Sequence, residues 1–206
     1  PCRVVSSNSG QVLLTGIADS ARALRVAQTL LGPACFSGWG IRTLSLSEPR
    51  YNPMSYHNGS VWPHDNGLIA LGLARYGHKQ ATVQIFSALF DAATYMDLRR
   101  LPELFCGFLR RAHNAPTQYP VACSPQAWAS ATVLALLQAS LGLELTDASN
   151  EISFYRPALP DFLDELHLRN LRLSRGSADV LLKRHGSDVA VTQTRRDGDA
   201  AVVVRY

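Results

Sequence analysis

The sequence predicts a mainly α-helical fold followed by a small antiparallel β module. Apolar residues recur with the period of an α-helix as far as Gly142, and they alternate with the two-residue period of a strand after Thr146. Of the 206 residues, 47% are hydrophobic and 17% are charged, so the chain can bury a sizeable core and is not disordered. We therefore expect two domains, residues 1–146 and 147–206.

Four segments carry the helical pattern. The first covers residues 18–32 and is amphipathic. The second begins at Pro63, which suits a first helical turn, and ends at Gly77, which suits a left-handed C-terminus. The third covers residues 79–96 and predicts an antiparallel hairpin with the second. The fourth covers residues 125–142.

Two long stretches without periodicity, residues 35–62 and 97–123, separate these helices. Loops of this length in compact domains usually carry function. Paired helices with a long loop after every second member resemble part of an α/α toroid, a ring of helix pairs in which the loops on one rim surround a central pocket. We expect the chain to form only a piece of such a ring.

The residues after Thr146 predict an antiparallel meander. The alternation slips at Asn170, as in a β-bulge, and turn residues follow at 185–188 and 197–199. Much of the basic excess, a formal net charge of +4, also falls in this tail. Outward strand positions are usually charged, so we interpret these residues as a solvated sheet face and expect no nucleic-acid partner. A phosphate-binding surface is the alternative.

The cysteines predict no metal site and no cofactor. Cys2, Cys35, Cys106 and Cys123 stand far apart, without a C-x-x-C pair or a Cys/His cluster. Free, mostly buried thiols favour a reducing, cytoplasmic compartment. The sequence has no run of 18 apolar residues, so we expect no membrane partner. The chain begins Pro-Cys-Arg, with neither Met nor a signal-peptide pattern, and we expect it to start inside a longer protein; the oligomeric state stays open.

The first long loop ends in a segment with the composition of a sugar-binding site. Residues 51–66 combine aromatic, imidazole, amide and carboxylate side chains. Aromatic rings pack on the C–H face of a pyranose, and the polar groups exchange hydrogen bonds with its hydroxyls. The alternative is a polar turn that caps the helix at Pro63, with His57 and His64 bonded to the backbone.

Individual site residues follow from this interpretation. The candidate sugar platforms are Trp39, Tyr51, Trp62 and Trp128. Large aromatics of this kind serve in packing equally often. The candidate hydroxyl binders are His57, Asn58, His64, Asp65 and Gln126.

Glu103 is the candidate catalytic residue. It is a lone acid in an apolar stretch of the second long loop, beside Leu104 and Phe105. An acid in such surroundings is a candidate for proton transfer. A salt bridge to Arg99 or Arg100 is the alternative, and the spacing leaves both open.

Four long strings carry a resemblance to a known family. They are Phe-Ser-Gly-Trp-Gly-Ile-Arg-Thr-Leu (36–44), Tyr-Asn-Pro-Met-Ser-Tyr-His-Asn-Gly-Ser-Val-Trp-Pro-His-Asp-Asn (51–66), Arg-Leu-Pro-Glu-Leu-Phe-Cys-Gly-Phe (100–108) and Tyr-Pro-Val-Ala-Cys-Ser-Pro-Gln-Ala-Trp (119–128). In these strings the chain resembles the bacterial amylo-α-1,6-glucosidase, or glycogen-debranching-enzyme-type, family of six-hairpin glycosidases. The strings lie in residues 1–142, and the β tail matches only in type.

The resemblance implies an inverting α-glycosidase that acts on glycogen-like or oligosaccharide substrates. In such enzymes one acid protonates the leaving oxygen and one carboxylate activates water, with the two carboxyl groups about 6.5–9.5 Å apart. Glu103 falls at the position of the general base. The family's acid is an Asp in an earlier part that this chain lacks, so the resemblance implies a C-terminal fragment that is inactive alone.

Two alternatives accompany this interpretation. Asp65 is the first substitute for the missing acid, because it is the only carboxylate in residues 51–66. A non-catalytic carbohydrate-binding or scaffold module is the alternative function, since such a module keeps the pocket loops without the chemistry.

Overall fold

The computed structural model describes residues 3–206. That part of the chain contains five α-helices and six strands. The helices are α1 (Asn8–Thr15), α2 (Ser20–Leu31), α3 (Pro63–Arg75), α4 (Lys79–Thr94) and α5 (Ala127–Leu141). The strands are β1 (Leu143–Thr146), β2 (Glu151–Tyr155), β3 (Glu165–Leu173), β4 (Gly176–His185), β5 (Asp188–Gly198) and β6 (Ala201–Arg205). The chain divides into two compact units, residues 1–136 and 137–206. The domain boundary after residue 146 stays a prediction.

The expected fold class is wrong. The described residues form an α+β fold, with five α-helices and two three-stranded sheets, instead of a mainly helical piece of a toroid. The helical period correctly indicated where α2 to α5 lie, but the order of helices and loops does not determine how the helices pack. The β part also differs from a single antiparallel module, because one of its two sheets is mixed.

Helices α2 and α3 begin at signals that the sequence carries. Asp19 accepts a hydrogen bond from the Arg22 N–H at 2.7 Å and so caps α2. Pro63 occupies the first turn of α3, whose interior side chains Ile69 and Leu73 are fully buried. Burial of α3 holds its first turn, which directly follows the first long loop, in one position.

Helix α1, which the sequence pattern did not indicate, packs closely on its neighbours through a glycine. A Cβ at Gly10 would lie 2.7 Å from the Leu30 side chain of α2 and 2.8 Å from Ile69 of α3, so a larger residue would force the helices apart. Leu13, one turn further along α1, is fully buried. This packing sets the position of Gln11, which contributes to the site described below.

Single antiparallel β-bridges run within each of the two long loops, and a further one, between Val61 and Phe105, joins the loops to each other. Arg42 pairs with Val61, Val61 with Phe105, and Phe105 with Gln118. The Val61 N–H donates to the Phe105 carbonyl at 2.9 Å, and the Phe105 N–H donates to the Val61 carbonyl at 3.1 Å. These bridges place the segment of Glu103 beside the start of α3.

The second unit contains two sheets. Strands β3, β4 and β5 form an antiparallel meander, with a register shift between Leu168 and Leu171 where the sequence predicts a bulge. The expectation that the last strand extends this meander is wrong, because β6 pairs in parallel with β2 in a sheet of order β1-β2-β6. Ile152, Phe154 and Leu182 are fully buried in the core of this unit.

The described cysteines carry free thiols. Cys35 and Cys106 are buried, and Cys123 is exposed. The thiol predicted at Cys2 lies outside the described residues. Between residues 3 and 206, no helix has the length and apolar character needed to cross a membrane.

Candidate active site

Glu103 is held by hydrogen bonds at both carboxylate oxygens. Its Oε1 accepts from the Tyr56 hydroxyl at 2.6 Å, and its Oε2 accepts from the Cys123 N–H at 3.3 Å. The Glu103 N–H donates to the Cys123 carbonyl at 2.8 Å, so this segment is also tied through its backbone. A carboxylate acts as an acceptor at both oxygens, as seen here.

The alternative role of Glu103, as a salt-bridge partner, finds no support in the structure. No ion pair in residues 3–206 includes this carboxylate. The Arg99 guanidinium donates to the Thr94 carbonyl instead, and Arg100 is exposed. Neither of the two neighbouring arginines therefore neutralises Glu103.

Six aromatic and imidazole rings, those of Tyr56, His57, Trp62, His64, Tyr119 and Trp128, form one continuous cluster beside Glu103. The Tyr56 ring meets the rings of His57 and Trp62 edge-on, with centroids 4.7 Å apart in both pairs. His57 and Trp62 are stacked at 5.9 Å, and His64 is stacked on Trp128 at 4.2 Å with the planes 15° apart. Rings in such contacts hold one another in place and present a large apolar area.

These groups line a cleft of about 420 Å³ in the first unit. A cleft of this size, with aromatic walls and a few polar groups, suits a small ligand. The lining residues are Ser7, Asn8, Gln11, Thr43, Tyr56, His57, Trp62, His64, Asp65, Glu103 and Trp128. No group of three or more His, Cys, Asp and Glu side chains in residues 3–206 is arranged to hold a metal ion.

Two neighbouring residues of the cleft carry buried polar atoms that lack partners. Asp65 is 4% exposed, and its Oδ1 accepts a hydrogen bond from the Gln11 amide. Asp65 Oδ2 and His64 Nδ1 are both buried, and neither has a hydrogen-bond partner in residues 3–206. Unpaired buried polar atoms are rare and costly. Both residues are therefore candidates for contact with a polar ligand.

The surroundings of the cleft shift the pKa of two titratable groups, His64 and Tyr56. Burial lowers the pKa of His64 below its usual 6.5, although the charges of Asp65 and Glu103 oppose the shift. The hydrogen bond to Glu103 raises the pKa of Tyr56 to about 12. At pH 7 the imidazole is therefore neutral and the phenol keeps its proton to donate.

Replacement of His64 is expected to change how stability depends on pH. Because the pKa of His64 is lowered in the folded chain, the unfolded chain binds this proton more readily, and the free energy of unfolding falls as the pH drops below about 6.5. In His64→Gln this contribution disappears, whereas it persists in the control His185→Gln, which changes an exposed residue of β4. Urea denaturation at about pH 7 and about pH 5 measures the difference. The same loss of stability in wild type and His64→Gln would contradict the assignment.

The cleft brings together six of the predicted site residues. They are Glu103, His57, Trp62, His64, Asp65 and Trp128. The four that lie outside its lining are Trp39, Tyr51, Asn58 and Gln126. Trp39 is 3% exposed, with the Arg110 guanidinium 4.2 Å from its ring centroid. Tyr51 donates its hydroxyl to the Gly107 carbonyl at 3.1 Å. These two aromatics therefore stabilise the loops, and sugar contacts by all four stay predictions.

Sequence reasoning missed five of the lining residues. They are Ser7, Asn8, Gln11, Thr43 and Tyr56. Tyr56 lies inside the sugar-like segment, so the aromatic composition of that segment was a signal for it. Gln11 belongs to α1, whose eight residues are too few to show a clear period, and it reaches the cleft only through tertiary packing.

The fold and the site together define a class of protein. An aromatic cleft that presents a hydrogen-bonded carboxylate and unpaired polar atoms is typical of enzymes that act on carbohydrates. The family model of the mannosylglycerate hydrolase MGH1-like glycoside hydrolase domain matches residues 1–104, a range that includes Glu103. The chain belongs to this glycoside hydrolase family, which is of the six-hairpin glycosidase type. The match supports the glycosidase part of the resemblance and not the debranching specificity.

Two solved structures are similar to the chain at low sequence identity. A structure described as a sialidase has a TM-score of 0.67 and 13% identity, over 97% of this chain and 20% of its own. An uncharacterized conserved protein from Thermus thermophilus has a TM-score of 0.48 and 19% identity, over 66% of this chain and 31% of its own. The chain therefore spans less than a third of either structure. The sialidase likeness concerns the fold alone. No curated protein matches the chain.

Proposed function

We propose that Glu103 is the general base of an inverting glycoside hydrolase and that the cleft binds the sugar on which this enzyme acts. The observation that carries the proposal is a carboxylate, hydrogen-bonded at both oxygens, that lines an aromatic cleft in a chain of a glycoside hydrolase family. A general base must accept a proton from water within hydrogen-bond reach. A half-buried carboxylate at a cleft, free of ion pairs, meets this requirement.

In the proposed reaction, Glu103 removes a proton from a water molecule while the water oxygen bonds to the anomeric carbon. The bond from that carbon to the leaving oxygen breaks, and a carboxylic acid gives its proton to the leaving oxygen. The configuration at the anomeric carbon is inverted, because water attacks the face opposite the leaving group.

We place the general acid outside this chain. Asp65 is the other carboxyl group of the cleft, and its Oδ1 accepts a hydrogen bond from the Gln11 amide. Asp65 can accept this bond in either protonation state. The acid is placed elsewhere because the family that the loops resemble carries it on an Asp in an earlier part of the protein. The enzyme is then complete only with a preceding part, and the 206-residue chain alone is inactive.

The aromatic and polar groups of the cleft have distinct roles in holding the sugar. Trp128, which is 50% exposed, offers an apolar face on which a pyranose packs. Trp62, which is only 7% exposed, meets the Trp128 ring edge-on at 6.5 Å and supports it. Asp65 Oδ2 and His64 Nδ1 are the hydrogen-bonding partners proposed for its hydroxyls, and such bonds would satisfy atoms that are otherwise unpaired.

Two substrates are candidates. The family description names mannosylglycerate, and the resemblance of the loops implies α-1,6-linked glucose in glycogen-like material. The aromatic cleft suits both, because stacking on a pyranose face does not depend on the linkage. An assay with both substrates distinguishes them.

The configuration of the first product tests the proposed mechanism. The enzyme with its preceding part is incubated with mannosylglycerate, malto-oligosaccharides or limit dextrin, and the released sugar is followed by proton NMR. We expect the sugar to appear first as the anomer opposite to that of the substrate, and we expect no turnover by the chain alone.

Retention of configuration would contradict the inverting mechanism. Turnover by the chain alone would place the acid within it, and Asp65→Asn would then test that residue. A full-length protein that binds sugar without hydrolysis, with the same affinity in Glu103→Gln, would support the non-catalytic binding module instead.

A further inference from the structure

We propose that Tyr56 is a positioning residue for Glu103 and acts through the hydroxyl that it donates to Oε1. The inference rests on the proposed function of Glu103 as a base. It goes beyond that function, because neither the loop composition nor the family match gives Tyr56 a role. Tyr56 forms and breaks no covalent bond in the reaction. It holds in place the carboxylate of Glu103, which takes the proton from water.

Glu103 has one strong anchor. The glutamate side chain turns about three bonds, and its carboxylate has two partners in residues 3–206, the Tyr56 hydroxyl at 2.6 Å and the Cys123 N–H at 3.3 Å. A hydrogen bond from a hydroxyl to a charged carboxylate is about twice as strong as one between neutral groups. The second bond lies beyond the usual range for N–H donors. Loss of the Tyr56 hydroxyl therefore leaves the carboxylate with only the longer bond from the Cys123 N–H, which restrains its rotation less.

Tyr56 is itself held from several sides. His57 and Trp62 contact its ring edge-on at 4.7 Å between centroids, and the Tyr119 ring lies at 5.6 Å. The Tyr56 carbonyl accepts the indole N–H of Trp62 at 2.9 Å. The ring and the backbone are thus both fixed, so the hydroxyl is a stationary anchor for Glu103.

The same contacts tie the base to the sugar platform. Trp62 lines the cleft and contacts Tyr56 through its ring and through its indole N–H. Trp62 also meets the exposed ring of Trp128 edge-on at 6.5 Å, so a sugar packed on Trp128 is held against the framework that orients Glu103. Alignment of this kind matters, because misplacement of a catalytic group by about 1 Å costs about 100-fold in rate.

Tyr56→Phe in the complete enzyme tests the proposal. We expect kcat to fall about 10- to 100-fold with little change in KM.

Tyr76→Phe is the matched control. Its hydroxyl donates to the Ala18 carbonyl at 2.7 Å, and neither residue lines the cleft. This variant removes a hydrogen bond of similar length, so it is expected to lower stability without a change in kcat. A wild-type kcat in Tyr56→Phe would overturn the inference.

A double-mutant cycle separates this inference from the proposed function. If Tyr56 acts through Glu103, Tyr56→Phe has no further effect in a Glu103→Gln background. If Tyr56→Phe lowered kcat by the same factor in both backgrounds, the positioning role would be overturned. Full activity of Glu103→Gln would refute the proposed function instead, whatever Tyr56→Phe does.

If Tyr56→Phe does not fold, an optical titration of wild type and Glu103→Gln tests the inference instead. The pKa of Tyr56, raised to about 12 by Glu103, should return toward 10 in Glu103→Gln. Ultraviolet difference spectra of wild type and Glu103→Gln are recorded between about pH 9 and about pH 12. One tyrosine should ionise at a lower pH in Glu103→Gln than in wild type. Identical titration curves would overturn the inference.

Discussion

Glu103→Gln is expected to abolish hydrolysis and leave the fold intact. In the complete enzyme kcat should fall about 100- to 10,000-fold, the range for loss of a positioned base. Glutamine has the shape of glutamate, and its amide oxygen still accepts the Tyr56 hydroxyl, so the cleft and its aromatic walls stay in place. Sugar affinity should therefore change little.

The matched control is Glu144→Gln, which removes one carboxylate from an exposed position of β1. It should hydrolyse substrate at the wild-type rate. Steady-state kinetics give kcat for both variants, and quenching of tryptophan fluorescence on addition of sugar gives their affinities. If Glu103→Gln kept a kcat near that of the control, Glu103 would not be the base.

Gly107→Ala is expected to separate the two long loops. A Cβ at Gly107 would lie 1.7 Å from the Gly59 carbonyl oxygen, which is backbone and cannot swing away. The Gly107 N–H donates to the Pro53 carbonyl at 2.8 Å, and the Gly107 carbonyl accepts from Arg42 Nε at 2.6 Å and from the Tyr51 hydroxyl at 3.1 Å. The added methyl strains all three bonds. The free energy of unfolding should fall by about 3 kcal/mol, and kcat should fall because Glu103 moves away from Tyr56.

Gly186→Ala separates this clash from the general effect of losing a glycine. No atom of residues 3–206 lies within 4 Å of a Cβ at Gly186, whose φ is +62°, so only backbone strain is added. That strain costs about 1 kcal/mol and leaves kcat unchanged. Urea denaturation of both variants measures the difference. An equal loss of stability in the two would contradict the close approach of the loops.

Sequence signals predicted the longer helices because proline, glycine and a capping residue mark their ends. Pro63 opens α3, and Asp19 caps α2. The signals failed where the position of a helix or strand depends on the element that it packs against or pairs with. Helix α1 owes its burial to contacts of Gly10 with other helices, and β6 carries a strand pattern that does not say it pairs with β2. The expectation of a toroid rested on element order, which does not specify packing.

The candidate site was predictable in composition and not in geometry. The mixture of residues in the first loop indicated a sugar site, and His57, Trp62 and Asp65 do line the cleft. Composition cannot say on which side of a loop a ring lies, so it does not distinguish Trp39 and Tyr51 from Trp62. The places of the first two are set by long-range contacts with a guanidinium and a backbone carbonyl.

Chemical rescue of Glu103→Ala tests the role of Glu103 most directly. Removal of the carboxylate leaves space in the cleft for a small anion that attacks the anomeric carbon in place of the activated water. With sodium azide, the otherwise inactive variant of the complete enzyme is expected to recover turnover and to form a glycosyl azide of inverted configuration. Wild-type hydrolysis by Glu103→Ala without azide, or an azide product of retained configuration, would contradict the assignment of Glu103 as the general base.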